Sequence, residues 1–472
     1  MSIPIPFPKL KRSLWQLLGP SVVFVAVSLN GGELLLWPSL AANFSLKILW
    51  AIPIILVLQF VINLEIERYS LVTGKSTEEH LVGSVKWLAA LFAFSVIISL
   101  VWPAWMSTAG NLLAVVFLPE TATEGLSRNV GLVITAVLLL LTAVVFKARK
   151  TYKLIETISK YGLMVALGII LLTVALNFDA EIFLEGLRGL VSWGYIPEEM
   201  PRFDFLAALA FGGVAGVLNL AQSEWVIDKK YGVAGVAEKD RGNVEFESAQ
   251  SRKHFKEWFR TVNTEHFLLF FCANLFSIFL LAYLGRLLLP LGSAQGFGVL
   301  VAEIATLNGQ MPYLGVLFAI SGILIFIMAN IAILDAIGRL MHRMLKPLRK
   351  NKKVMSANDI SVLSILVGVV ILILSLLIPS FKQPFTLLVI SASLSAIVMW
   401  MYPPLLLKLN LQLPKPVRPR ALRVVLLLVC TGFYGAASLW ALATILPLWI
   451  IGVIGGTVTG YQLYFLLRKR VA

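Results

Sequence analysis

The chain has 472 residues, 58% of them hydrophobic and 14% charged, with a mean hydropathy of +0.87. A soluble domain is about 45–50% apolar and about 25% charged, so a water-soluble multidomain enzyme is excluded. Lys and Arg number 40 against 25 Asp and Glu, a formal excess of +15. That charge sits in short loops between apolar runs, which assigns it to membrane orientation rather than to a nucleic-acid partner.

In chain order, the opening MSIPIPFPKLKR is basic and runs into a long apolar stretch without a small-residue cleavage site, so it reads as a short N-terminus before a first span. A bilayer core takes about 20 apolar residues per helix. Cutting at polar, Pro-bearing and basic breaks gives twelve spans, at 15–43, 47–71, 87–117, 129–146, 153–177, 204–228, 264–288, 312–337, 359–379, 384–407, 422–445 and 447–467. Every second loop is basic: Lys75 and Lys86, then Lys147, then Lys229, Lys230, Lys239 and Arg241, then Arg339, Arg343 and Lys346, then Lys408, Lys415 and Arg418, and finally the tail Arg468, Lys469 and Arg470. The alternate loops are nearly free of basic residues, and 178–203 is acidic, with Asp179, Glu181, Glu185, Glu198 and Glu199. Both termini are therefore expected in the cytoplasm of a multi-pass plasma-membrane protein, a bacterial inner membrane being the expected site. The longest polar segment, 229–261, reads as a solvated connector. Cys272 and Cys430 lie in apolar runs without metal-ligand spacing.

Two spans are interrupted. The first reads VVFVAVSLNGGELLLWPSL, with Asn30, Gly31, Gly32 and Glu33 near its middle; the sixth reads AALAFGGVAGVLNLAQSEWVID, with Gly212, Gly213 and Gly216 followed by Asn219, Gln222, Ser223 and Glu224. In lipid, an interrupted helix survives only where it lines a protein-walled cavity. Glycines also serve close helix packing. Here, however, the gaps stand five spans apart on oppositely directed helices, the pattern of two inverted five-helix repeats with a substrate held at the midplane. These residues are the candidate substrate site. A carboxylate at mid-membrane costs several kcal/mol unless neutralised, paired or bound to a cation, which leaves Glu33 as cation ligand, proton carrier or protonated structural group. Glu65, Glu67 and Arg68 near the end of span two read as a structural or gating ion pair. Glu224 and Asp228 line a vestibule or snorkel at a helix end, and Asp335 and Arg339 form an i,i+4 pair. Trp102, Pro103 and Trp105 put a kink and bulky rings into span three. All four His lie in loops or at helix ends.

The stretches GPSVVFVAVSLNGGE and LVLQFVINLEIERYSLVTGKS, with KLIETISKYG, LFAISG and LLVISASLS farther on, resemble NRAMP-family divalent metal transporters. The resemblance covers roughly residues 15–410, and its first third is the specific part. It implies an all-α polytopic protein of LeuT type: a 5+5 inverted repeat at 15–177 and 204–410, helices 1 and 6 broken, and two peripheral helices with a basic tail at 411–472. Against the family pattern, the metal-site Asp falls on Asn30 and the Asn on Glu33. The Met-Pro-His of span six falls near Gly216, Val217 and Leu218, and span three has no acidic residue. Without the thioether, preference for softer metals weakens. Oxygen donors from Asn30, Glu33, Asn219, Gln222 and freed carbonyls suit a hard cation, and the three glycines of span six read as extra room.

The expectation is an NRAMP-related secondary active transporter, not an enzyme, without cofactor, moving a divalent metal cation by alternating access. Asn30 and Glu33 are the metal ligands, and Glu33, Glu224, Asp228, Glu65, Glu67 and Arg68 are the coupling or gating groups. H+ is the candidate coupling ion; the partners are a small ion or solute and the lipid bilayer. Import of an organic carboxylate or metal chelate, and a receptor that transports nothing, are the competing readings.

Overall fold

A computed structural model describes residues 4–10, 32–100, 103–118, 124–147, 151–214, 216–292, 294, 296–348, 354–377 and 384–467. Asn30, Gly31, Trp102 and the basic tail 468–470 lie outside the described residues. The molecule is built of helices. Its α-helices in chain order are α1 (Trp37–Phe44), α2 (Ala51–Thr73), α3 (Thr77–Ser84), α4 (Trp87–Leu100), α5 (Ala104–Phe117), α6 (Glu124–Lys147), α7 (Thr151–Leu176), α8 (Ala180–Gly189), α9 (Arg202–Ala210) and α10 (Gln222–Asp228). They continue with α11 (Ala249–His266), α12 (Ala273–Leu288), α13 (Phe297–Gln310), α14 (Leu314–Leu345), α15 (Ala357–Leu377), α16 (Pro384–Met401), α17 (Pro403–Leu411), α18 (Ala421–Leu442) and α19 (Leu448–Leu467).

Among the described residues, nine helical runs are long and apolar enough to cross a bilayer, and two shorter apolar helices accompany them. The protein is a multi-pass membrane protein. The outermost runs bury little of themselves: the last helix keeps Trp449, Val453 and Leu467 exposed, as a lipid-facing surface does. By contrast α2 and α14, at the centre, bury most of their length. Span three is two helices, α4 and α5, because Pro103 lacks the N–H that would continue the ladder.

Segments taken as loops are in part helical: α3 lies between spans two and three and α8 within 178–203, and two further helices bear on the site. Residues 249–261 belong to α11, which is N-capped by Ser248, whose Oγ accepts from the Ser251 amide at 3.1 Å. The helix then continues as one 40-residue run, Ala249–Leu288. Phe255, Trp258, Val262 and His266 recur at helical spacing on its buried face. What covers that face is the N-terminal segment. Ile5 and Pro6 pair in parallel with Val244 and Glu245, and the Phe7 ring lies 5.7 Å from Phe246 and 5.8 Å from Phe255. The Phe7 amide donates to Ser251 Oγ at 2.9 Å, and Trp258 Nε1 donates to the Pro8 carbonyl at 3.1 Å. The 229–261 segment is therefore a packed clasp on the N-terminus rather than a solvated connector. The other helix that bears on the site, α13, lies between spans seven and eight.

The clasp depends on Glu245, whose carboxylate accepts from the hydroxyls of Ser248 and Ser251, both at 2.6 Å, and from the amides of Glu247 and Ser248. These bonds, the Ser248 hydroxyl first, hold its carboxyl down at about 2 against an ordinary 4.5. A depressed carboxyl stabilises above its ordinary value and loses that stabilisation as pH falls through the depressed one. Amide exchange at Phe7 and Ser251 is therefore expected to accelerate, beyond the intrinsic pH effect, as pH drops from 4.5 to about 2. Glu245→Gln is expected to show the loosened clasp at neutral pH.

Candidate functional site

Glu33 lies in a wide-turn stretch, Gly32–Leu36, that leads into α1, and its carboxylate is 0% exposed. One oxygen, Oε2, accepts from the Ser277 hydroxyl of α12 at 2.7 Å; the other, Oε1, has no hydrogen-bond partner among the described residues. The stretch packs against α9, α12 and α13.

Helix α9 stops at Ala210, and residues 211–214 bend without helical bonding before a tighter turn begins at Gly216 (Gly216–Ala221) and passes into α10. The carbonyls at a helix end lack intrahelical partners. That of Ala210 is taken by Gln59 of α2, whose Nε2 donates to it at 3.0 Å. The Gly32–Leu36 stretch touches the break in span six here: a Cβ on Gly32 would fall 2.2 Å from the Phe211 carbonyl oxygen. Only glycine permits that approach.

The span-six glycines do not add room. A Cβ at Gly212 would strike Ile55 at 2.0 Å and one at Gly213 would strike Gln59 at 2.6 Å. Gly216, at φ +63°, rests against Ser395, whose Cβ would lie 2.8 Å away. All three serve close packing, and neighbouring side chains fill the space expected to be open.

The residues expected to gather around one substrate separate into two groups. Gln222, Ser223, Glu224 and Asp228 are engaged on the side of the basic loops, away from the Gly32–Leu36 stretch. Gln222 Nε2 donates to Glu67 of α2, and Ser223 Oγ donates to Glu78 of α3 at 2.6 Å. Glu224 accepts from Arg343 at 3.1 Å, and Asp228 accepts from Arg339, which also holds Asp335 at 2.7 Å. The expected pair Asp335 and Arg339 is present and reaches a third partner. Asn219 Nδ2 lies 3.4 Å from the Gly216 carbonyl. Arg68 pairs with Glu65 at 2.8 Å rather than with Glu67. Burial, and then the nearby Glu224 carboxylate, push the Glu78 carboxyl well above its ordinary value.

These ion pairs border a cavity of about 680 Å³ on the basic face, lined by Lys75, Glu79, His80, Arg241, Arg343 and Lys346. Arg343 bridges Glu224 on one side and Glu79, at 3.4 Å, on the other. His266, read from sequence as standing at a helix end, is instead deep within the Ala249–Leu288 run. It is stacked between Phe60 and Phe270, with Nδ1 3.8 Å from Glu67.

As a donor for a cation, the described residues of this neighbourhood offer the Glu33 carboxylate. Among them no three His, Cys, Asp or Glu side chains converge on one point. Ser277, Gln59 and Phe211 are the members of this neighbourhood that sequence reasoning missed. The first two are single polar residues in apolar helices, a signal present in the sequence but shared with many residues that do nothing.

No family model matches the chain, and no curated protein does either. Among solved structures it is similar to the Eremococcus coleocola manganese transporter in complex with an aromatic bis-isothiourea substituted compound. That match has a TM-score of 0.69 at 15% identity over 99% of this chain and 96% of that one. A mutant of the same transporter gives 0.68 at 14% over the same shares. A nucleobase-cation-symport-1 family transporter, closed on bromovinylhydantoin, gives 0.51 at 12% over 90% of this chain and 92% of that one. These neighbours are transporters, not enzymes. The chain shares the fold of these transporters, the LeuT-type fold.

Proposed function

We propose that the protein is a secondary active transporter that carries a divalent cation across a plasma membrane by alternating access, with its basic face and both termini cytoplasmic. The observation that carries this reading is Glu33, a wholly buried carboxylate with one oxygen held by Ser277 and the other without a hydrogen-bond partner among the described residues, where the Gly32–Leu36 stretch meets the break in span six. An ionised carboxylate so placed needs a cation or a proton. The fold of the manganese transporter lends support.

Asn30 and Gly31 complete the proposed site from the first span, and freed carbonyls of residues 211–214 supply further oxygen donors. An all-oxygen set without a thioether suits a hard ion such as Mn2+, Mg2+ or Ca2+. An organic carboxylate would meet Glu33 as a like charge, which disfavours it as cargo. The ion pairs Glu224–Arg343 and Asp228–Arg339 tie the second half of span six to α14. In this reading they are the bonds that part when the cytoplasmic side opens.

In reconstituted vesicles, wild-type protein is expected to take up at least one of Mn2+, Mg2+ and Ca2+. Losing one partner of a buried charge contact costs about 2–5 kcal/mol, so Glu33→Gln is expected to weaken apparent affinity roughly 100-fold. Equal uptake by the variant, or none of the three ions moved by the wild type, contradicts the proposal.

A further inference from the structure

The helix α13, between spans seven and eight, carries a second buried carboxylate. Glu303 is 1% exposed, and among the described residues neither of its oxygens has a hydrogen-bond partner. It lies on the stripe Val299, Leu300, Glu303, Ile304 and Leu307 that α13 buries. That helix packs against Gly32–Leu36, the stretch bearing Glu33, and against α5, α12 and α14. The segment leading into it is tied to the end of span one, where Asn43 Nδ2 donates to the Ala294 carbonyl at 2.9 Å and the Gly292 amide donates to the Ala42 carbonyl at 3.1 Å.

We propose that a proton on Glu303, exchanged with outer water, is the latch that holds α13 closed over the Glu33 site. The proposal rests on the transport reading for its purpose, not for its physics. A carboxylate buried without a partner is unaffordable as an anion, whereas a buried carboxylic acid costs only a polar group. Among the described residues, no opposite charge is paired with it. The charged groups on the elements packed against α13 are Glu33 itself, Arg286 on α12, and Asp335, Arg339, His342 and Arg343 on α14; α5 carries none. Arg286 is directed to Glu185 at 3.9 Å. The α14 charges begin 20 residues beyond Gly315, which abuts the Ile304 carbonyl, a distance of about 30 Å along the helix.

The docked helix therefore requires the acid form. In keeping with this, burial raises the Glu303 carboxyl well above its ordinary 4.5. When α13 lifts, Glu303 meets outer water, releases its proton to it and becomes a hydrated carboxylate; closing requires taking one proton back from that side, with no other bond changed. The proton returns from the water that received it, so the latch itself moves none across the membrane. The sign follows from linkage: a carboxyl raised in the docked state stabilises docking fully below its ordinary value and ceases to as pH rises through the raised one.

The test is hydrogen–deuterium exchange of the α13 amides in the full protein in lipid nanodiscs, corrected for intrinsic rates. In wild type, protection is expected to fall by at least about tenfold, the equivalent of one pKa unit, between about pH 5 and about pH 8. In Glu303→Gln it is expected to stay high at both. A flat wild-type profile, or the same fall in the variant, overturns the proposal. Should the variant fail to fold, the wild-type profile decides alone. In vesicles, Mn2+ uptake through the wild type is expected to change with outer pH between about 5 and about 8, and uptake through Glu303→Gln is expected to lose that change. If Mn2+ does not enter at all, the transport reading loses its support while amide exchange still judges Glu303.

Discussion

Replacing Arg68 with Ala is expected to lower the stability of the folded protein by about 3–5 kcal/mol, the cost of leaving one member of a buried ion pair uncompensated. Glu65 is fully buried, and Arg68 reaches it through two bonds, Nε at 2.8 Å and Nη2 at 3.1 Å. The same guanidinium donates to the Val417 carbonyl at 3.0 Å and lies 4.1 Å above the Phe259 ring. One side chain thus fastens span two to α11 and to the segment preceding α18. Arg423 also approaches Glu65, at 3.6 Å, but is 23% exposed, so Arg423→Ala is expected to cost only about 1 kcal/mol. Arg68→Lys keeps the charge and loses the fork, which places it between the two. Denaturation of the purified variants in detergent reads the order directly, and equal losses for Arg68→Ala and Arg423→Ala would show that the bidentate geometry does not matter.

The second large effect is expected at Gly32. Its missing Cβ leaves room for the Phe211 carbonyl, 2.2 Å from where that atom would stand, and for the Phe211 Cβ at 2.5 Å. Backbone cannot swing aside as a flexible side chain can, and the Phe211 ring is braced by Trp105 at 6.3 Å. Overpacking of this kind costs about 1–3 kcal/mol or more. Gly32→Ala is expected at the top of that range, with the Gly32–Leu36 stretch and the break in span six forced apart and cation uptake lost with them. Gly168→Ala is the control: a Cβ there meets nothing within 4 Å, and its helical position is expected to tolerate Ala within about 1 kcal/mol. Similar melting temperatures for both variants would contradict the close approach of the two segments.

Hydropathy was enough to reveal a polytopic helical protein, because each run of apolar residues long enough to span lipid has few alternatives. Side-chain spacing revealed the Asp335–Arg339 pair and the link between Glu65 and Arg68, since both are local to one helix. The interruption near Gly212 was legible for the same reason. Partners far apart in sequence were not. Ser277 stands 244 residues from Glu33, and no pattern in either span selects it. A glycine string reads alike whether it opens a cavity or admits a neighbour, and at Gly212, Gly213 and Gly216 the neighbours Ile55, Gln59 and Ser395 decide for packing. Helices α11 and α13 were missed because spans were cut at polar residues. Helical hydrogen bonding ignores that boundary: Lys253, Lys256 and Arg260 continue the helix of His266 into water, and Glu303 sits in a segment too short to span.

The central claim is that Glu33 holds a cation where the first and sixth spans meet. Anomalous diffraction from crystals soaked in Mn2+ tests it most directly. The account predicts a peak about 2.0–2.6 Å from Glu33 Oε1, the ordinary range for a hard cation on a carboxylate oxygen, and no such peak in Glu33→Gln. A peak confined to the Lys75–Arg343 cavity, or a Glu33 side chain turned to the lipid, would contradict it.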